Sequence, residues 1–369
     1  MRFTINTNRF LKAINLVNRS ISTTTPLPSL AGILLKVEPN SLSLTASDFN
    51  ISIRTVITAD EVNIEEEGTV NINARYLHDI IQSLNGTTTT VTLIDGTLLE
   101  ITSDQSVFKI NGMPAADYPN ISFDCSGKPF TLKSKIVEEI ISNVAFACST
   151  DETRPALTGV NLKAEGKELD CVGTDSRRLS LKKLELDEEE NFDIVVPVKY
   201  LTKIKDSIAD QDECEVRIDN QRITFSFANT VISARLIEDS FPSITHLFPN
   251  TFKQQAKLNS RELISAITRS SIMKYEGKDT IKMSFKDNKL ELTAISQEVG
   301  TSYDVLTPIS YEGSDLVIGC SGKHLSDAVR VMGNKETLLC FNGEAHPIII
   351  KNPEDDSLIQ LISPTRVYF

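Results

Sequence analysis

The side chains that could ligate a metal or attack a substrate are few and scattered. Four histidines (His78, His246, His324 and His346) and six cysteines (Cys125, Cys148, Cys171, Cys214, Cys320 and Cys340) are spread along the chain. No two cysteines are closer than 20 residues, so there is no CxxC pair. No histidine has a Cys, His or carboxylate partner at metal-ligand spacing. The phosphate-cradling loops GxxxxGKS/T and GxGxxG, the GxSxG elbow and the HExxH helix are absent. These residues predict no metal, no cofactor and no catalytic site. The cysteine usage predicts a reduced, cytoplasmic protein with buried thiols.

Two carboxylates, Asp48 and Asp175, occupy equivalent places in an internal repeat, which predicts turn residues at strand ends rather than a catalytic pair. Two stretches stand out. Gly173-Thr-Asp-Ser-Arg-Arg-Leu179 is a polar turn with two arginines, and as a bland alternative an ordinary hairpin. Leu361-Ile-Ser-Pro-Thr-Arg-Val367 places apolar residues at the chain end, where disorder is the default, so this terminus is expected to dock onto something.

The elements that would position these stretches follow from the repeat. At a shift of 127, Phe3 falls on Phe130, Phe10 on Val137, Ile14 on Ile141, Pro28 on Pro155, Leu30 on Leu157, Gly32 on Gly159 and Asp48 on Asp175. The shift drifts to 124 at Tyr76-Leu77 and Tyr200-Leu201. A third copy matches Leu132, Ser134, Val137 and Ile141 with Leu258, Ser260, Leu263 and Ile267 at 126. Three units result, 1–127, 128–250 and 251–369. Each has two halves of strand, helix and three strands. In the first, Phe3–Asn6 leads into a helix over Thr7–Ser20 with Thr7 as N-cap, and Ala74–Asn85 forms the second helix. Its apolar stripe, with Tyr76, Leu77, Ile80, Ile81 and Leu84, predicts helices packed on one side of antiparallel sheet. The acidic runs Glu65–Glu67 and Asp187–Glu190 are expected to be solvated linkers between halves.

A length of 369 residues suits two or three domains. With 40% hydrophobic and 24% charged residues, the composition excludes a disordered, collagen-like or membrane-bundle chain. The N-terminus lacks the apolar core of a signal peptide, and no stretch is long enough to span a bilayer. The net charge of −12 argues against a polyanion partner until it is sorted by element. The six proposed helices hold thirteen basic and six acidic residues, a balance of +7 that leaves −19 elsewhere. If the helices share a surface, that surface attracts phosphates without reading sequence. The alternative is that helices collect Lys and Arg for propensity alone.

The chain resembles the bacterial sliding clamp family, the β subunit of DNA polymerase III. The resemblance rests on the opening Met1-Arg-Phe-Thr-Ile with Phe10, the Pro28–Gly32 stretch, Thr174-Asp-Ser-Arg-Arg-Leu179, Asp117-Tyr-Pro119, Ser240-Phe-Pro242 and Ser363-Pro-Thr-Arg366. It covers essentially all 369 residues. It implies an α+β fold of three tandem clamp-type domains, antiparallel sheets outside and helices inside. It implies a head-to-tail homodimer closing into a ring around duplex DNA, and a processivity factor rather than an enzyme. The implied partners are DNA, the polymerase III catalytic subunit, the clamp loader and other proteins carrying a short apolar motif with Gln.

The resemblance also implies residues. Arg9, Lys12, Arg19, Arg154, Lys199, Lys203, Lys205, Arg269, Lys323 and Arg330 would face DNA. Phe108 and Ile110 would meet Ile272 and Met273 of the other subunit. A partner-peptide pocket would take Leu157, Thr174, Ser176, Arg177 and Leu179 from the second unit. It would add Pro242, His246 and Leu247 from the connector, and Pro347, Leu361, Ile362, Ser363, Pro364 and Arg366 from the third. Arg177 stands where many members have His, Ser363 where some have Met, and Val367-Tyr-Phe369 runs past the usual end. Two other classes fit the same residues: a scaffold that shares the fold without the ring, and an enzyme with a site assembled from unrelated positions.

Overall fold

A computed structural model describes the whole chain except Thr23, Pro26, Thr245, His246, Asn250, Tyr275, Glu276, Asn334, Tyr368 and Phe369. The expectation for His246 therefore lies outside the described residues. The first repeat runs β1 (Arg2–Asn6), α1 (Thr7–Asn18), β2 (Gly32–Glu38), β3 (Ser41–Ser47), β4 (Ile51–Thr58), β5 (Val62–Glu66), β6 (Gly68–Asn73), α2 (Ala74–Ser83), β7 (Thr88–Asp95), β8 (Leu98–Ser103) and β9 (Ser106–Asn111). The second has β10 (Phe130–Lys133), α3 (Ser134–Asn143), β11 (Gly159–Thr174), β12 (Arg178–Pro197), α4 (Val198–Ser207), β13 (Glu213–Ile218), β14 (Arg222–Phe227) and β15 (Thr230–Arg235). The third has β16 (Gln254–Asn259), α5 (Ser260–Ser270), β17 (Thr280–Lys286), β18 (Lys289–Ser296), β19 (Gly300–Leu306), β20 (Ser310–Glu312), β21 (Leu316–Ser321), α6 (Gly322–Met332), β22 (Glu336–Phe341), β23 (Ile348–Asn352) and β24 (Asp355–Ile362).

Four of the helices begin where a strand ends on a short polar residue. Asn6, Asn73, Asn259 and Ser321 accept the backbone N–H of Arg9, Tyr76, Glu262 and His324, satisfying an otherwise orphaned donor. The N-cap of α1 is thus Asn6, not the expected Thr7. Thr7 is buried, and its hydroxyl lies 2.9 Å from that of Thr89. Beneath α1, Phe3 and Phe10 meet edge to face at 5.7 Å, both fully buried. Burial of that size contributes roughly 2–3 kcal/mol per ring.

The acidic runs are not linkers. Val62–Glu66 forms β5, pairs with β1 and sets Glu65 against Arg2 at 3.1 Å. Asp187–Glu190 lies inside β12, the long second arm of a hairpin with β11, where its side chains remain largely exposed. Edge and hairpin strands tolerate charge on their solvent side, so a charge run does not end a strand.

Two compact units emerge, and each takes part of the second repeat. Residues 1–135 with 199–236 hold a five-stranded sheet (β5-β1-β7-β8-β9) and an eight-stranded one (β10-β13-β14-β15-β4-β3-β2-β6). Residues 136–198 with 237–369 hold a seven-stranded sheet (β11-β12-β24-β23-β22-β16-β20) and a four-stranded one (β19-β18-β17-β21). The same join recurs in both. The last strand of one repeat pairs antiparallel with a strand of the repeat before it: β15 with β4, and β24 with β12. In the second unit α5 and α6 lay Leu263, Ala266, Ile267, Leu325, Ala328 and Val329 against Met283, Phe285, Leu292 and Ile350 in one core. No helix among the described residues is long and apolar enough to cross a membrane.

Candidate partner-binding site and helical faces

The arginine-bearing turn joins β11 to β12. Asp175 accepts the N–H groups of Arg177 and Arg178, each at 2.9 Å. Asp48 holds the equivalent turn of the first repeat by accepting from Asn50 and Ile51, so both are the expected turn residues. Ser176 and its repeat counterpart Phe49 both sit at φ 73°, the left-handed conformation that this turn imposes on a non-glycine residue. Thr174 Oγ1 donates to the carbonyl of Arg178 at 2.6 Å and accepts the N–H of Ser176.

The chain terminus docks onto this turn. The N–H of Ser363 donates to the carbonyl of Arg177 at 2.8 Å, and that of Thr365 to the carbonyl of Gly319 on β21 at 2.7 Å. A Cβ at position 319 would meet the Thr365 carbonyl at 2.4 Å, so glycine permits the close approach. Pro364 and Arg366 line a cavity of about 710 Å³ with Val317, Gly319 and Glu344.

Leu179 and Leu361 stand opposite one another in the β12–β24 register and join Val172, Leu181, Cys340 and Ile349 in an apolar cluster. Leu247 packs on it, together with Phe241, Ile244, Phe248 and Phe252. Sequence reasoning missed these connector residues other than Leu247. Their signal is an apolar residue every third position, Phe241, Ile244 and Leu247. Ile362 does not belong to this surface. It points to the opposite face of β24 and packs in the core of the third repeat, because strand side chains alternate. Leu157, buried in the short turn before β11, and half-buried Pro347 lie outside the cluster, and Pro242 is exposed on the connector.

Cationic side chains around the turn differ in state. Arg154, expected toward DNA, donates to Ser176 Oγ at 3.1 Å and so stands beside the turn. Arg177 and Arg366 are exposed and make no ion pair with a described carboxylate. Arg178 is largely buried between Asp175, at 3.0 Å, and Asp327, at 2.9 Å.

The helical cations divide similarly. Arg9 forms a bidentate pair with Glu61 at 2.6 and 2.9 Å, and the guanidinium holds the Glu61 carboxyl below its usual range. Lys203 lies 3.6 Å from Asp48, Lys205 3.4 Å from Asp206, and Arg269 2.5 Å from Asp304. Lys12, Arg19, Lys199, Lys323 and Arg330 are exposed and make no such pair among the described residues. The six thiols are free. Burial pushes Cys148, Cys214 and Cys320 up to about 12 and Cys340 to about 11, far from a nucleophile's range.

Edge strands β9 and β19 carry outward apolar side chains, Val107 (59% exposed) and Tyr303 (64%). Ile272 after α5 is 70% exposed, and Phe108, Ile110 and Met273 are half-buried. Tyr76, expected in a core stripe, is 62% exposed, whereas its repeat counterpart Tyr200 is 3% exposed.

Strand–helix–three-strand halves, tandem repetition and sheets continued from one repeat into the next define an α+β protein of the DNA-clamp class. The chain matches the DNA polymerase III beta subunit in three consecutive parts: the N-terminal domain over residues 1–122, the central domain over 131–243 and the C-terminal domain over 245–366. It is 32% identical over 378 residues to the beta sliding clamp of Bacillus subtilis and 34% over 376 residues to that of Staphylococcus epidermidis, covering 100% of both chains in each case. It superposes on the crystal structure of the Bacillus subtilis DNA polymerase sliding clamp with a TM-score of 0.94 at 32% identity over 100% of both chains. For a DNA polymerase III beta chain from Streptococcus pneumoniae the TM-score is 0.95 at 29% identity, over 99% of this chain and 100% of the other. The chain belongs to the DNA polymerase III beta-subunit family, the bacterial sliding clamps.

Proposed function

We propose that two copies of this chain join head to tail into a ring that encircles duplex DNA without reading its sequence and tethers the replicative polymerase. On this reading the protein is a cytoplasmic processivity factor of three domains, 1–127, 128–250 and 251–369, and catalyses nothing. The observation that carries it is the recurring join between repeats. Because β15 pairs with β4 and β24 with β12, the pattern leaves β9 without a preceding repeat and β19 without a following one. A second copy supplies both. Transferring the register Val231↔Arg54 to the open edges sets Val107 opposite Tyr303 and Phe108 opposite Ser302. The two most exposed apolar residues of those strands then cover one another, with Ile272 and Met273 nearby and Tyr76 buried as Tyr200 is. A heterologous contact of this kind closes when the rotation permits.

The exposed helical cations Lys12, Arg19, Lys199, Lys323 and Arg330 would supply screened phosphate attraction. The groove beside Leu179, Leu361 and Leu247, rimmed by Thr174, Arg177 and Arg366, would take the short apolar motifs of the polymerase catalytic subunit, the clamp loader and other partners. The decisive test is retention after loading. The protein should stay on circular DNA and slip from linear DNA, and its solution mass should be that of a dimer. Equal retention on both DNAs, or a monomer at working concentration, rejects the ring.

A further inference from the structure

The turn bearing Thr174, Ser176 and Arg177 is built twice in the chain, and only one copy contains a buried arginine. In the first repeat Asp48 caps its two N–H groups, Phe49 takes the left-handed conformation, and Ile51 stands where Arg178 stands in the second. The turn therefore forms without an arginine. Arg178, its side chain 12% exposed, nevertheless engages every arm of its guanidinium. Nε reaches Asp175 at 3.0 Å, Nη1 reaches Asp327 on α6 at 2.9 Å, and Nη2 donates to the Phe146 carbonyl at 2.6 Å. The Phe146 ring lies under the guanidinium, 5.2 Å from its centre. Position 327 is the repeat counterpart of Lys203, which reaches Asp48 alone at 3.6 Å. The helix residue has thus changed sign, and a guanidinium stands between turn and helix.

We infer that Arg178 and Asp327 are a positioning pair for the partner groove: they clamp the turn to α6 and so fix where Arg177 presents its donors. The inference rests on the partner-groove reading. A planar guanidinium held at three points has one orientation, and the backbone of residue 178 follows directly from the rim residue 177. Asp327 itself lies on a helix that the groove does not include, so its effect on a bound peptide must pass through Arg178.

The test uses the full-length protein and a synthetic peptide of the clamp-binding segment of the polymerase III catalytic subunit, titrated by calorimetry. Asp327→Ala should weaken the peptide roughly tenfold, the scale of losing a hydrogen-bonded charge, while the solution mass stays that of the unaltered protein. Asp327→Glu should restore affinity to within about threefold, which loss of a merely structural side chain does not predict. Should the alanine variant fail to fold, Asp327→Asn replaces it. Leu179→Ala tests the groove separately. If Leu179→Ala weakens the peptide and Asp327→Ala and Asp327→Asn bind as the unaltered protein does, the positioning pair is overturned and the groove stands. If the unaltered protein does not bind the peptide, the groove and the pair fall together.

Discussion

Leu179 and Leu361 face each other across the β12–β24 pairing, 182 residues apart in the chain, and share one apolar cluster under the connector. Ile362, one residue on, turns into the core of the third repeat. The two neighbours should therefore fail in different ways. Leu361→Ala should weaken a polymerase-derived peptide by about 2 kcal/mol or more, near thirtyfold. Ile362→Ala should cost about 2–5 kcal/mol of stability through its cavity and leave peptide affinity within about threefold. Calorimetry and denaturant unfolding on both variants check this, and equal peptide loss from both would refute the assignment of faces.

Cysteines placed at Val107 and Tyr303 should form a disulfide between copies under mild oxidation, because directly opposed residues in an antiparallel pair lie within disulfide reach, about 5.5 Å between Cα atoms. The product should migrate as a covalently closed dimer. Ile272→Ala with Met273→Ala should shift the sedimenting species toward folded monomer. A cross-link that forms equally well one residue out of register would contradict the repeat-derived pairing.

The helical cations should not contribute alike to DNA retention. Replacing Lys12, Arg19 and Lys199 by Gln should shallow the salt dependence of retention, by a slope of about 1 for each phosphate no longer neutralised. Replacing Arg9, Lys203 and Arg269 should matter less, since Glu61, Asp48 and Asp304 already hold them. Retention measured across a salt series on loaded circular DNA separates the two triplets.

His324 lies 3.9 Å from Asp175, with Arg178, Asp327 and Lys323 as its other charged neighbours. Burial first, and then Arg178, lower its pKa below the ordinary 6.5. Folding therefore favours the neutral ring, and the unfolded chain binds more protons as pH falls past 6.5. The stability it contributes is present above that pH and is lost as pH falls toward the folded value. His324→Gln should flatten this part of the stability–pH curve in denaturant titrations between about pH 7 and 5; an unchanged slope would assign the loss to other groups.

The repeat, the six helices and most strands were legible because helical and strand periods leave the apolar residues of each element on one face. Charge and partner-dependent burial were less legible. Glu65 and Glu66 look like a linker until β1 is beside them with Arg2. Tyr76 shares a pattern with Tyr200, yet a local pattern does not say whether the covering surface belongs to the same chain. Asn6 and Thr7 are both good caps, and only the burial of Thr7 against Thr89 decides between them. The site was half legible. Leu179 and Leu361 came from resemblance, and the Arg178–Asp327 hydrogen bond spans 149 residues with no periodicity to announce it.

The exchange of strands at each join has a consequence for cooperativity. The middle repeat is a unit of sequence without being a unit of melting. Its strands β10 and β13–β15 unfold with the first repeat's sheet, and β11 and β12 unfold with the third's, since backbone pairing ties them there. Excised as 128–250, it would leave β15 without β4 and β12 without β24, two raw edges on a fragment too small to hide them. Hydrogen exchange should therefore divide this repeat into two protection classes, with the boundary running through its interior rather than at its ends.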